Sequence, residues 1–154
     1  MLTRVIANNH VKFRAVPTPL PETNRPFSPS DVLLGKALSS IEKLPSRYWV
    51  FHFGDAVWLN VEAPWRVLSP SSILVTSEDD SQKFGMKTPV DAAATLRRIL
   101  ESHQVTLVVV DPVSSDLRIQ FDNEATLEVV NLSSGYECWT LNRNDGFIMV
   151  GRNG

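Results

Sequence analysis

RYWVFHFGDAVWLNV, residues 47–61, decides the fold. Its large apolar side chains fall on every second residue: Trp49, Phe51 and Phe53 before the Gly54-Asp55 pair, then Val57, Leu59 and Val61 after it. Successive side chains of a strand point to opposite faces, so the alternation builds a hairpin with one apolar side and places His52 on the other. A sheet of that kind needs a second layer over its apolar face, and the rest of the chain must supply it.

Downstream, WRVL (65–68) follows Pro64 and SILVTS (72–77) follows a Ser-Pro-Ser turn, which extends the hairpin into an antiparallel meander. Upstream, SPSDVLLGKALSSIEKL (28–44) places Val32, Leu33, Ala37, Leu38 and Ile41 at near-helical spacing behind Ser30. This spacing predicts a short helix within 30–42 that turns into a strand near Leu38, with Gly35 weakening it by about 1 kcal/mol relative to Ala. The polar stretch 77–90 reads as a loop. Thr88-Pro89-Val90-Asp91 then offers a capping hydroxyl, a proline at the first helical position and a carboxylate three residues after the cap. A helix is predicted over 89–102, with Ala92, Ala93, Leu96, Ile99 and Leu100 as its apolar stripe. After it come VTLVVVD (105–111), the hairpin DLRIQF and ATLEVV (116–130), and the pair YECWTLN and GFIMVG about the turn Asn144-Asp145-Gly146.

The two halves match. Phe53, Leu59 and Val61 align with Phe121, Leu127 and Val129 at an offset of 68 (121 − 53 = 68). Trp65 aligns with Trp139, and 73–75 with 147–149, at an offset of 74 (139 − 65 = 74). The six extra residues of the second half contain NLSSGY (131–136). The expected architecture is an α+β fold in which two similar units, 31–76 and 89–151, each a helix plus an antiparallel meander, pack as one domain and bury each other's apolar faces. Residues 1–30 stand apart as an arm with a short strand over 5–13 and the proline-rich VPTPLPETNRPFSPS (16–30), which reads as an extended surface connection or a PxxP-type ligand.

A chain of 154 residues suits one domain, and no apolar run approaches the roughly 20 residues that cross a bilayer. The start shows no secretory pattern, so the expected compartment is the cytoplasm. The lone Cys138 excludes an internal disulfide and a thiolate-rich zinc site. Residues 1–47 carry seven Lys/Arg against three Asp/Glu, whereas 48–154 carry eight against fourteen. No dense basic stripe interleaved with aromatics occurs, which argues against nucleic acid as a partner; the charge split reads first as simple solvation, with a basic protein as the alternative match for the acidic body.

Catalytic signals are missing. His10, His52 and His103 show no metal-ligand or acid/base pairing, Glu78-Asp79-Asp80 lacks the alternation of a calcium loop, and no Gly-rich phosphate loop or nucleophile elbow is present. Cys138 reads as a small buried hydrophobe, because an adjacent carboxylate raises a thiol pKa. The expectation is a protein without cofactor, metal or catalytic residues. The candidate binding patch comprises Trp65, Arg66, Glu78, Tyr136, Glu137 and Trp139, since Trp, Tyr and Arg concentrate binding energy at interfaces. Glu137 and Trp139, two residues apart, are expected on one strand face, with Arg66 as a partner for Glu137 if that face is buried.

Pro64-Trp65-Arg66, Ser77-Glu78-Asp79-Asp80-Ser81-Gln82-Lys83-Phe84-Gly85 and Ser133-Ser134-Gly135-Tyr136-Glu137-Cys138-Trp139 resemble the short motifs of a family of small bacterial proteins of unknown function, over about residues 31–151. Some such members resemble immunity proteins of polymorphic toxin systems. The resemblance implies a cytoplasmic α+β protein that binds and blocks a toxin-like partner protein, and it carries no catalytic residues. The alternative is a ligand-binding or enzymatic cleft between the two halves, lined by Arg66, Glu78, Glu137 and Trp139. Uncovered edge strands also invite pairing with a second copy.

Overall fold

The computed structural model describes residues 27–45, 48–146 and 148–151. The expected strand over 5–13 and nearly all of the proline-rich arm lie outside the described residues. In chain order the elements are α1 (Pro29–Leu33), β1 (Leu38–Lys43), β2 (Trp49–Phe53), β3 (Val57–Val61), β4 (Trp65–Leu68), β5 (Ile73–Thr76), α2 (Ala92–Leu100), β6 (Val105–Val110), β7 (Leu117–Phe121), β8 (Thr126–Val129), β9 (Trp139–Arg143) and β10 (Ile148–Gly151). The fold is α+β, with two five-stranded antiparallel sheets among the described residues.

Both helices are shorter than their apolar spacing predicts. Leu34 leaves helical geometry at φ −55°, ψ 132°, and Gly35 turns the chain at φ 74°. The next residues then join the β2 ladder, where Leu38 faces Phe53 and Ile41 faces Phe51. In α2 the cap is Asp91, whose Oδ1 accepts from the Ala94 amide at 2.8 Å, in place of the expected Thr88. The Val90 amide donates to Gln82 O and its carbonyl accepts from Ser81 N, both at 2.8 Å, which ties Val90 to the preceding loop. The helix starts only beyond that clamp. The hairpin loop after β2 has three residues, 54–56, since Phe53 pairs with Val57.

The two meanders do not stay separate. The strand orders are β1-β2-β3-β9-β10 and β5-β4-β8-β7-β6, so the last hairpin of each half completes the other half's sheet. The reason lies in the link 62–64. Pro64 has no amide to donate. The amides of Glu62 and Ala63 both donate to Cys138 O (3.1 and 3.2 Å), while the Val130 amide donates to Pro64 O at 2.9 Å. Each link between sheets is therefore bonded to the other, and neither folds back into a hairpin.

The two ladders correspond position by position. Val61 faces Trp139 as Val129 faces Trp65, and Trp49 faces Val61 as Leu117 faces Val129. A register shift falls between Leu38 and Ser40 in one sheet and between Val105 and Leu107 in the other. The Gly35 amide donates to Val105 O at 2.9 Å, and the Ser102 amide donates to Leu38 O at 3.0 Å, with φ of 74° and 70°. The isolated bridges Ala37↔Gln104 and Leu38↔Glu101 join the same two segments.

One cluster of buried side chains draws on both sheets and both helices. Trp65 stands edge-on to Trp49 at 4.8 Å and to Phe51 at 6.1 Å, joining the second sheet to the first. Helix α2 lies against β1 and β5, one edge strand of each sheet, and α1 lies against β6. Ala92, Leu96 and Leu100 are the residues that α2 buries. No helix among the described residues is long and apolar enough to cross a membrane.

Candidate functional site

The six residues of the expected patch separate into three places. Trp65 and Trp139 are 1% and 2% exposed, so they belong to the core and present nothing to a partner. Arg66 is on the outer face of the second sheet, where its Nε donates to Glu128 Oε2 at 2.7 Å; its ion pair is with Glu128 and not with Glu137. Glu78, Tyr136 and Glu137 are exposed beside the 62–64 link. Glu137 does not share a strand face with Trp139, because β9 begins only at Trp139 and the Cys138 amide is taken by Gly151 O at 2.9 Å. The expected cleft of Arg66, Glu78, Glu137 and Trp139 is not formed.

What the fold does bring together is Pro64, Glu78 and the 133–138 stretch, three segments far apart in the chain. Two hollows share the residues Glu62, Ala63 and Pro64. One, of 360 Å³, is walled by Glu78, Asp80 and Gln82; the other, of 260 Å³, by Leu132, Tyr136 and Glu137. The link between β3 and β4 runs between them like a spine.

The crossover 130–138 is held by its own polar groups. Asn131 accepts from the Ser133 amide at 2.9 Å through Oδ1 and donates to Ser114 O at 2.9 Å through Nδ2, while its own amide donates to Asp116 Oδ1 at 2.8 Å. Ser133 Oγ accepts from the amides of Gly135 and Tyr136 at 3.2 and 3.1 Å. Short side chains that satisfy nearby amides fix a turn in this way. Its far end is anchored inside: Trp139 Nε1 donates to Ser115 O at 2.9 Å, and Cys138 Sγ lies 3.1 Å from Gly151 O. Burial raises the Cys138 thiol above its ordinary pKa, which leaves it a protonated packing group. An anchored loop thus exposes Leu132 (76%) and Tyr136 (80%), both on the lining of the second hollow.

Carboxylates surround these side chains. Tyr48 gives its hydroxyl to Glu62, and that hydrogen bond and charge, with a smaller contribution from Glu137, push the phenol above its ordinary pKa. Asp80 is the compensated member: burial raises its carboxyl, but the Lys43 ammonium and the Ala92 amide outweigh this and hold it below the usual range. Glu78 and Glu137 have no ion-pair partner among the described residues. The whole is an acidic surface with an aromatic and an aliphatic anchor.

Sequence reading singled out Glu78, Tyr136 and Glu137 and marked NLSSGY as the piece without a counterpart. It missed Glu62, Tyr48 and the role of Leu132, which only the crossing of the two links brings to one place. Among the described residues no group of three or more His, Cys, Asp or Glu is placed to hold a metal ion. Comparisons of the chain with protein families, with curated proteins and with solved structures found no match.

Proposed function

We propose that the protein is a non-enzymatic binding module that takes a basic partner protein on the surface around the 62–64 link. The carrying observation is the anchored crossover that exposes Leu132 and Tyr136 beside Glu62, Glu78 and Glu137, with the last two unpaired among the described residues. Exposed aromatic and aliphatic anchors supply affinity, and carboxylates left unpaired select for Lys- and Arg-bearing partners and raise the association rate. The resemblance of the three motifs gives this a specific form, neutralisation of a toxin-like protein, and Pro64, Glu78 and Tyr136-Glu137 are the parts of those motifs that meet at this surface.

The same reading covers the build of the molecule. We infer that the halves 31–76 and 89–151 are two copies of one helix-plus-strands unit that exchanged their last hairpins, which accounts for the matched registers. The longer second crossover is then the piece added to a repeated frame. The test is paired affinity capture with the wild type and Y136A/E137K from the native host. Proteins held by the wild type and lost by the variant, at equal thermal stability, support the proposal; identical captured sets from the two contradict it.

A further inference from the structure

On the outer face of the second sheet, Arg66, Glu128 and Arg118 stand side by side on β4, β8 and β7, since Arg66 and Arg118 both face Glu128 in register. Glu128 is only 8% exposed, and its two oxygens are divided between the arginines: Arg66 Nε to Oε2 at 2.7 Å and Arg118 Nε to Oε1 at 2.8 Å. Each guanidinium spends one of its five N–H groups here. Neither makes another hydrogen bond to a described residue, and their side chains are 45% and 60% exposed. The carboxylate fixes both planes while leaving the terminal nitrogens open.

The fold does not require this row. At the matching positions of the first sheet stand Val50, Asn60 and Thr140, joined in the same registers. A half-buried charge cluster costs desolvation and is no better for stability than apolar packing, so its presence in one sheet alone points to a use.

Beside the row is a hollow of 260 Å³ lined by the two arginines and Glu128, with Val109 and Pro112 as apolar wall and Asp111 and Asp116 also on its lining. The Asp111 Oδ1 accepts the amides of Val113 and Ser114, both at 2.8 Å, and Asp116 Oδ1 accepts the Asn131 amide at 2.8 Å. Those bonds fix two carboxylates that belong to one turn, since the Asp111 amide donates to Asp116 O at 2.9 Å, and the two guanidiniums share the same lining. The volume falls just under the roughly 300–1,000 Å³ of pockets for drug-sized ligands, which limits the occupant to a small molecule. With Glu128, Asp111 and Asp116 against two arginines, a bare dianion is disfavoured.

We propose that this hollow binds a free α-amino acid or a similarly small zwitterion, with its carboxylate on the open nitrogens of Arg66 and Arg118 and its ammonium toward Asp111 and Asp116. The planar forks of arginine suit a carboxylate bidentately. This site adjoins the crossover, since Val130 lines the hollow and Asp116 also accepts the Asn131 amide, but it does not rest on the protein-binding reading.

The test is nuclear magnetic resonance of the arginine Nε–Hε groups of the full chain, titrated with alanine, serine and glutamate and with the one-ended controls acetate and methylammonium. The expected result is movement of the Arg66 and Arg118 signals by at least one amino acid, with both controls about tenfold weaker or worse. Val109→Trp, which fills the hollow from the position directly opposite Arg118, should abolish the effect at unchanged melting temperature, and the Arg118 Nε–Hε signal of the free variant shows that the ion pair to Glu128 is kept. Should that variant fail to fold, Arg118→Lys replaces it, because it keeps the charge and loses the fork. The proposal is overturned if no amino acid moves either signal, if acetate binds as tightly, or if the folded variant binds as the wild type does.

Discussion

Trp65 and Trp139 occupy matching positions, yet their indole nitrogens end differently. Trp139 Nε1 donates to Ser115 O at 2.9 Å, whereas Trp65 Nε1 is buried without an acceptor among the described residues. Replacing each by Phe removes similar volume, but at Trp139 it also removes a hydrogen bond to the Ser115 carbonyl. Trp139→Phe should therefore cost about 1 kcal/mol more than Trp65→Phe in urea unfolding. Gly151 is the packing counterpart of Trp139, since an added Cβ would fall on the Trp139 ring. Gly151→Ala should cost about 1–3 kcal/mol by the same measurement, the usual penalty of overpacking. Glu128 adds a pH dependence. Burial pushes its carboxyl up, but Arg66 and Arg118 outweigh that and hold it below its ordinary 4.5. A depressed folded-state pKa contributes stability that is present above the unfolded value and is lost as pH falls through the folded one. The stability gap between the wild type and Glu128→Gln should thus be widest near neutrality and close on acidification below about pH 4.

Among the elements, the tight turns after α1 and α2 share one backbone shape with different residues, Gly35 at φ 74° and Ser102 at φ 70°. A side chain in that left-handed region is strained, so Ser102→Gly should stabilise and Gly35→Ser destabilise, each by about 1 kcal/mol in thermal unfolding. The strands were legible from period-two alternation, and β2 and β3 fall where RYWVFHFGDAVWLNV puts them. Helix ends were less so. Thr88-Pro89 carries a good capping signal, but long-range bonds from Ser81 and Gln82 to Val90 override it, and no local pattern announces them. The candidate site was half legible for a similar reason. Tyr136 and Glu137 stand out in the unmatched segment, whereas Glu62 becomes part of the site only because its link is bonded to Cys138. Which hairpin pairs with which sheet is a choice between strands of the same alternating pattern, and alternation alone cannot make it.

At the scale of the molecule, the crossed pairing of the last hairpins means that neither half holds a complete sheet. Residues 27–90 alone would leave β3 and β4 without the partners that β9 and β8 supply. If the halves are copies, the same fragment can supply those partners to itself across a two-fold axis. We expect it to sediment as a homodimer with β content retained; a folded monomer would contradict the exchange. The intact chain has that pairing satisfied internally, and among the described residues the sheets end at β1 and β10 and at β5 and β6. The central claim concerns the surface where the two links cross, and hydrogen exchange on the free protein and on its complex with the captured partner tests it most directly. The account predicts slowed exchange at Glu62 and Ala63, over 77–82 and over 131–138. Unchanged exchange in those segments, with protection appearing elsewhere on the protein, would contradict it.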